Sequence, residues 1–426
     1  MNSNLQSYSA YKPSHVDWLG DVPAHWDVQP NRSIFVEMSD QDHPDEQMLS
    51  VTITRGVIQQ QELLKDESKK DTSRLDRSAY KLVQPGDFAY NKMRAWQGAI
   101  GISGFRGIVS PAYVVQRARK GRDPRFLHYL LRTSMFAKEA ERWSYGIASD
   151  MWSLRPHHFK MIYVCVPPLP EQHAIARYLD HVDRRIQRYI DTKQKLIALL
   201  QEARNVATVE AMQSPSTKNL RLSAVADTIE RPIERASDET YTPIGLYNRG
   251  RGIFRKKPRN GNELGDSSFF WIEQGDLVIS GQFAWEGAIA LASDTEHGCV
   301  ASHRFPILRG KPGISDTGFL LALFQTDWGR LILEYNSRGA AGRNRPLNVR
   351  TLMKEKISLP PIGAQLRVAE MLQSESRVRQ QTRRMEQLLK EYRASLIAHV
   401  VTGKLDVRAA AEHLPPEYPE QKLASN

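Results

Sequence analysis

Two long stretches without helix breakers set the limits on what this chain can become. From Val166 it reads VPPLPEQHAIARYLDHVDRRIQRYIDTKQKLIALLQEARNVATVEAM, and after Pro170 about forty residues pass without proline or glycine. Pro167, Pro168 and Pro170 suit the approach and first turn of a helix but not its interior. Apolar residues then recur in a 4-3 step at Ile175, Leu179, Val182, Ile186, Tyr189, Leu196, Leu200, Ala203 and Ala207, with Lys193 as the one charged seam position. That spacing predicts a coiled-coil helix rather than an ordinary surface helix, a rod of roughly 60 Å. Gln213-Ser-Pro-Ser-Thr217 ends it.

The signal returns at Leu359 as LPPIGAQLRVAEMLQSESRVRQQTRRMEQLLKEYRASLIAHVVTGKL. Pro167-Pro168 maps onto Pro360-Pro361, Gln172 onto Gln365, and Leu199-Leu200-Gln-Glu-Ala-Arg204 onto Leu388-Leu389-Lys-Glu-Tyr-Arg393. The offset falls from 193 to 189, close to one turn, so an apolar face survives the shortening. Met371, Val378, Met385, Leu388 and Tyr392 are its predicted seam. The natural partner for the first rod is therefore the second, and the chain reads as a duplication with a helix ending each copy.

The rest of the chain repeats in the same order. In the first copy, short β-type runs (LSVTITRGVI, KLVQPGDFAY, QGAIGI, GIVSPAYVVQR) alternate with glycine turns, and residues 124–143 read as one amphipathic helix. Arg55-Gly-Val-Ile58 is echoed by Arg251-Gly-Ile-Phe254, Pro85-Gly-Asp87 by Gln274-Gly-Asp276, and Trp96-Gln-Gly-Ala-Ile100 by Trp285-Glu-Gly-Ala-Ile289. Thr133 pairs with Thr326, and Leu154 with Leu347. The expected fold is mixed α/β: a first module over 1–165, a long helix over 166–213, a second module over 214–358, a second long helix over 359–407, and a tail over 408–426. Residues 8–28, with Trp18 and Trp26 among turn formers, read as an irregular segment pinned by two indoles.

A chain of 426 residues with a net charge of +11 has room for more than one core and favours a polyanionic partner. Cys165 and Cys299 are too few for a disulfide framework, which fits a reducing compartment. The start of the chain lacks the apolar core of a signal peptide, and no apolar run approaches a membrane span. The expectation is a soluble, cytoplasmic protein without a membrane partner.

Catalytic motifs are missing. No phosphate loop, dinucleotide fingerprint or Asn/Asp-Pro-Pro-aromatic clamp occurs, and His157-His158, His297 and His303 lack metal-ligand spacing. Glu67-Ser-Lys69 has the form of a nuclease carboxylate site, a pattern common by chance in charged loops. Basic and amide residues gather instead in the loops that differ between the copies. In the first these include Arg55, Lys69-Lys70, Arg74, Arg77, Lys92, Arg94 with Trp96, Arg106, and the stretch Trp152 to His158 with Arg155. In the second they include Arg249, Arg251, Lys256, Lys257, Gln282, His303, Arg304, Arg338, Arg343, Asn344 and Arg345. Lys and Arg supply phosphate contacts, while Arg, Asn and Gln can pair bidentately with purine edges. A charged, merely solvated surface is the plainer alternative for any one of them.

With these residues in hand, the chain resembles the DNA-specificity subunit of Type I restriction–modification systems along nearly all its length. The resemblance rests on Tyr11-Lys-Pro-Ser-His-Val-Asp-Trp-Leu-Gly with Pro23-Ala-His-Trp26, on Pro167-Pro-Leu-Pro-Glu-Gln-His-Ala-Ile-Ala176, on the Leu-Leu-x-Glu-x-Arg helices, and on Val401-Thr-Gly-Lys-Leu405. Gly363-Ala364-Gln365 departs from it, since members usually carry Glu before that Gln. The resemblance implies two target recognition domains separated by an antiparallel coiled coil, each reading half of an interrupted double-stranded DNA sequence. It further implies that the helices dock methylation subunits and that restriction subunits join them. S-adenosylmethionine, ATP and Mg would sit on those partners, leaving this chain non-catalytic and without cofactor or metal. A nuclease using Glu67 and Lys69, a fragment of a single-chain restriction–methylation enzyme, and a coiled-coil scaffold remain as alternatives.

Overall fold

The computed structural model describes residues 5–64, 76–146, 152–339 and 345–416. The chain divides into two compact units, one formed by residues 1–189 with 385–426 and the other by residues 190–384. Glu67, Lys69, Lys70, Arg74, Arg343 and Asn344 lie outside the described residues.

The first unit is built on a four-stranded antiparallel sheet in the order Phe35–Met38, Tyr113–Ala118, Phe88–Asn91, Ile100–Ile102. Its strands alternate faces as a pleat requires. Phe88, Tyr90 and Val114 enter one buried cluster with Phe126, Leu130 and Phe136, while Ala89 and Val115 enter another with Leu49, Val51, Val57 and Val109. The sheet is thus covered by helices on one side and by short strand pairs on the other. The second unit repeats the order with Ala226–Ile229, Ile307–Gly310, Leu277–Ile279 and Ile289–Leu291. Its Leu277, Ile279 and Leu308 meet the helix side, and Val278 and Ile307 the opposite side.

Residues 124–143 form two helices, Pro124–Leu131 and Ser134–Arg142, rather than the single one their periodicity predicts. Thr133 makes the break: its hydroxyl accepts from Phe136 N, the bond of an N-cap. Thr326 does the same for Gly329 N between the corresponding helices of the second unit. The pairing of those threonines in the sequence therefore marks a shared cap.

The two predicted rods are helices of 45 residues, Leu169–Gln213, and 40 residues, Ile362–Val401. In the first unit Cys165, just before the first long helix, bonds Val401 O, and Asp183 further along it pairs with Arg393 at 2.6 Å. In the second unit Lys218 is in register with Leu359, and Arg204 lies 3.4 Å from Glu375. Within each unit the helices therefore run antiparallel. Of the predicted seam, Ile175 and Leu179 are buried and Val182, Ile186, Leu200, Met371 and Val378 partly so. Leu196, Met385, Leu388 and Tyr392 are corrections, exposed at 38%, 40%, 50% and 39%. The buried line of the second helix runs instead through Val368, Glu375, Thr382, Leu389 and Leu396, seven residues apart.

The N-terminal segment is held in the first unit by Glu171, in the first turn of its long helix. The carboxylate accepts from Tyr8 Oη at 2.6 Å and Trp26 Nε1 at 3.0 Å, and His25 Nε2 lies 2.8 Å away. Trp26 is fully buried, whereas Trp18 is only partly so, its ring edge-on to Phe136. Residues after the second long helix close over the same segment: Tyr11 Oη donates to Gly403 O, Lys404 Nζ to Asp21 O and Asp406 N to Gln6 O. The second copy has no such leading segment, so the position matching Glu171 has nothing to accept, and Ala364 stands there.

Candidate nucleic-acid interface

In the first unit the turn after strand Phe88–Asn91 is shaped by Asn91, whose side chain accepts from Met93 N at 2.9 Å. A single turn of 3-10 helix, Ala95–Gln97, follows and ends at Gly98, whose φ of 93° suits glycine alone. Trp96 projects from this turn, half-buried, with Nε1 donating to Met93 O at 3.0 Å. Two further loops are tied to the turn through Lys92, whose N donates to Ala112 O and whose O accepts from Leu154 N. Trp152 is thereby brought edge-on to Trp96, with ring centroids 5.6 Å apart.

The second unit repeats the construction. Gly281 N donates to Arg304 O, and Gly281 O accepts from Leu347 N. Trp285 stands on the 3-10 turn Ala284–Glu286, its Nε1 donating to Gln282 O at 3.2 Å, and Gly287 closes the turn with φ 72°. The guanidinium of Arg345 lies over the Trp285 ring, 4.9 Å from its centroid. Arg249 N and Gly250 N bond Glu286 O and Gly287 O, which adds the loop carrying Arg249 and Arg251.

A buried carboxylate stands just before the interior strand that leads into each of these turns. Asp87 accepts from Gln84 N and from Arg117; Asp276 accepts from Glu273 N and from Arg309 and Arg231. The repeated Gly-Asp pairs are thus architectural. So is Arg132, which donates to Ile53 O, Thr54 O and Ile100 O; burial, then Arg393, lowers its pKa to about 10. Its neighbour His128 is enclosed and accepts from Ile102 N at 3.1 Å; burial, then Arg132 and Arg393, pushes its pKa down to about 3.

The structure therefore gathers Lys92, Arg94, Trp96 and Arg155 in one unit, and Arg249, Arg251, Gln282, Arg304 and Arg345 in the other. The other predicted residues have positions or contacts of their own. Arg55 pairs with Glu62, and Arg106 pairs with Glu46 at 2.6 Å. Lys256 and Lys257 follow strand Ile253–Arg255, His303 bonds Ser268 O through its backbone, and Arg338 stacks on Tyr335. Trp152 belongs to the stretch Trp152 to His158 that the sequence places among the variable loops; its position two residues before Leu154, as Arg345 stands before Leu347, is what pairs it with Arg345. Among the described residues no group of three or more His, Cys, Asp or Glu could hold a metal ion, and no helix is long and apolar enough to cross a membrane.

Two repeated α/β units, each with a tryptophan-centred basic loop cluster and a share of two long antiparallel helices, define a duplicated α/β protein. Residues 75–198 match the Type I restriction modification DNA specificity domain. A chain from a structure described as the basis of complex assembly and conformational transition of the type I R-M system shares the fold. It has 17% identity and a TM-score of 0.55, over 90% of this chain and 99% of that one. The HsdS subunit from Thermoanaerobacter tengcongensis is 16% identical with a TM-score of 0.46, over 90% and 98% of the two chains. The Type I S subunit from M. genitalium is 12% identical with a TM-score of 0.47, over 88% and 96%. No curated protein matches the chain. The resemblance to a Type I restriction–modification DNA-specificity subunit is borne out.

Proposed function

We propose that this chain is the sequence-reading component of a Type I restriction–modification complex, each unit contacting one half of a bipartite duplex target. The observation that carries this is the repeated turn at Trp96 and Trp285, which draws basic residues from separate loops to one place in each unit. Lys92, Arg94, Arg155, Arg249, Arg251 and Arg304 would supply phosphate contacts, and Gln282 and Arg345 base contacts. The exposed leucines of the duplicated Leu-Leu-x-Glu-x-Arg motif, Leu199 at 62% and Leu388 at 50%, offer apolar surface for methylation subunits. S-adenosylmethionine, ATP and Mg belong on methylation and restriction partners in this reading, and the complex works in the cytoplasm.

The test is to express the chain with and without its methylation subunits and to map methylated adenines across the host genome. One bipartite sequence should be methylated, and only with both components present. Methyl transfer by the chain alone would favour the single-chain enzyme, while absence of salt-dependent DNA binding by the complex would leave a scaffold.

A further inference from the structure

We propose that positions 152 and 345 are one base-reading position used twice, held by an aromatic side chain in the first unit and by a guanine-reading arginine in the second. The inference rests on the DNA-reading function proposed above and assigns chemistry to that same interface. Trp152 and Arg345 are 193 residues apart, as are Leu154 and Leu347, whose amides make the equivalent bonds to Lys92 O and Gly281 O. Both side chains lie against equivalent indoles, Trp96 and Trp285. Each of those indoles gives its N–H to the carbonyl three residues earlier, so the ring is a fixed platform and not itself a hydrogen-bonding reader.

Among the described residues four arginines of the second unit lie over aromatic rings, and their other contacts separate them: Arg235 over Phe269 gives its fork to Gly265 O and Ser267 O. Arg251 on Tyr247 returns its Nε to Asn248 O, and Arg338 on Tyr335 returns its Nε to Tyr335 O. Among the described residues Arg345 makes no such backbone bond; its contact is Glu334 Oε1 at 3.5 Å, between groups 41% and 53% exposed. An exposed pair of that kind holds little energy against competition. Arg345 thus carries a planar fork pre-oriented by an indole face and available to a ligand, the arrangement that meets guanine O6 and N7 with two parallel bonds. Trp152 in the same place has no fork and offers apolar surface, suited to a thymine methyl group or a base face. The scaffold is shared, and the reading side chain differs.

The experiment uses the full chain in complex with its methylation subunits, as wild type, Arg345→Lys, Arg345→Ala and Trp152→Arg. Each is titrated at fixed salt against duplexes in which every base pair of both half-sites is replaced in turn. Wild type should require guanine at one position of the second half-site. Arg345→Lys and Arg345→Ala should each lose roughly 5- to 150-fold discrimination there and nowhere else. Arg345→Lys keeps the charge and surface position, so its loss is not one of folding. Trp152→Arg should create a guanine preference at the matching position of the first half-site. Retained discrimination in Arg345→Lys, or equal weakening on every duplex in Arg345→Ala, would make Arg345 a phosphate contact and overturn the assignment. A wild-type complex with no sequence preference would instead defeat the DNA-reading function itself.

Discussion

Gln172 and Gln365 make the same tie in the two units. Gln172 Nε2 donates to Pro167 O and its Oε1 accepts from Asp123 N; Gln365 Nε2 donates to Pro360 O and its Oε1 accepts from Asp316 N. Both side chains are wholly buried. Each amide joins the proline entry of a long helix to the cap of the helix pair on the sheet. Gln172→Ala strands two buried groups, at about 1–3 kcal/mol each, and Gln365→Ala should cost at least as much, because Ile314 O loses a donor too. Urea midpoints at unchanged slope would report both; a loss under about 0.5 kcal/mol would mean the ties are idle.

Arg204 and Arg393 occupy the same place in the Leu-Leu-x-Glu-x-Arg motif, yet their mutants should differ. Arg204 and Glu375 are 2% and 6% exposed, whereas Arg393 and Asp183 are 45% and 22% exposed. Arg204→Ala leaves a buried carboxylate with Arg379 alone and should cost about 3 kcal/mol. Arg393→Ala should cost about 1 kcal/mol, since Asp183 reaches water and still accepts from Tyr129. Double-mutant cycles with Glu375→Ala and Asp183→Ala would measure each pair; equal coupling would contradict the burial argument.

Gly403 and Gly121 share a left-handed backbone, at φ 74° and 79°. A Cβ on Gly403 would lie 2.3 Å from Pro23 Cδ, while on Gly121 it meets nothing within 4 Å. Gly121→Ala should therefore cost the conformational strain of about 1–2 kcal/mol. Gly403→Ala adds displacement of the N-terminal segment, about 1–3 kcal/mol more, and should speed proteolysis near Trp26. Similar melting shifts in the two variants would rule that contact out.

His128 makes stability depend on acid. Its folded pKa of about 3 lies below the ordinary value, so between pH 6.5 and 3 the unfolded chain binds the extra proton. The stabilisation is complete above about pH 6.5 and is lost as pH falls toward 3. His128→Asn keeps an acceptor for Ile102 N but cannot titrate. Subtracting its denaturation midpoints from those of wild type should leave a difference that shrinks as pH drops; a flat difference would show that His128 does not sense the proton.

The duplication was legible because the repeated residues do geometric work. Gly98 and Gly287 close turns, Asp87 and Asp276 hold arginines, and Thr133 and Thr326 cap helices. The helix seam was harder to read because Glu375 and Thr382 are buried on it, and a hydrophobic pattern passes over polar residues such as Glu375, which Arg204 and Arg379 neutralise. At the interface, charge drew notice to Arg345, while Trp152 carries none and was legible only as part of the loop stretch 152–158. Arg55 and Arg106 show the converse: charge in a loop does not reveal whether a carboxylate already holds it.

The union of residues 5–26 with residues 401–411 in one unit has a consequence for synthesis. The second unit is a continuous stretch, whereas the first waits for the last forty or so residues of the chain. On the ribosome the module begun first is therefore completed last. Until Val401 and Gly403 emerge, Tyr8, Pro23 and Trp26 lack part of the surface that buries them, and a nascent chain stalled before that point exposes this apolar face to chaperones.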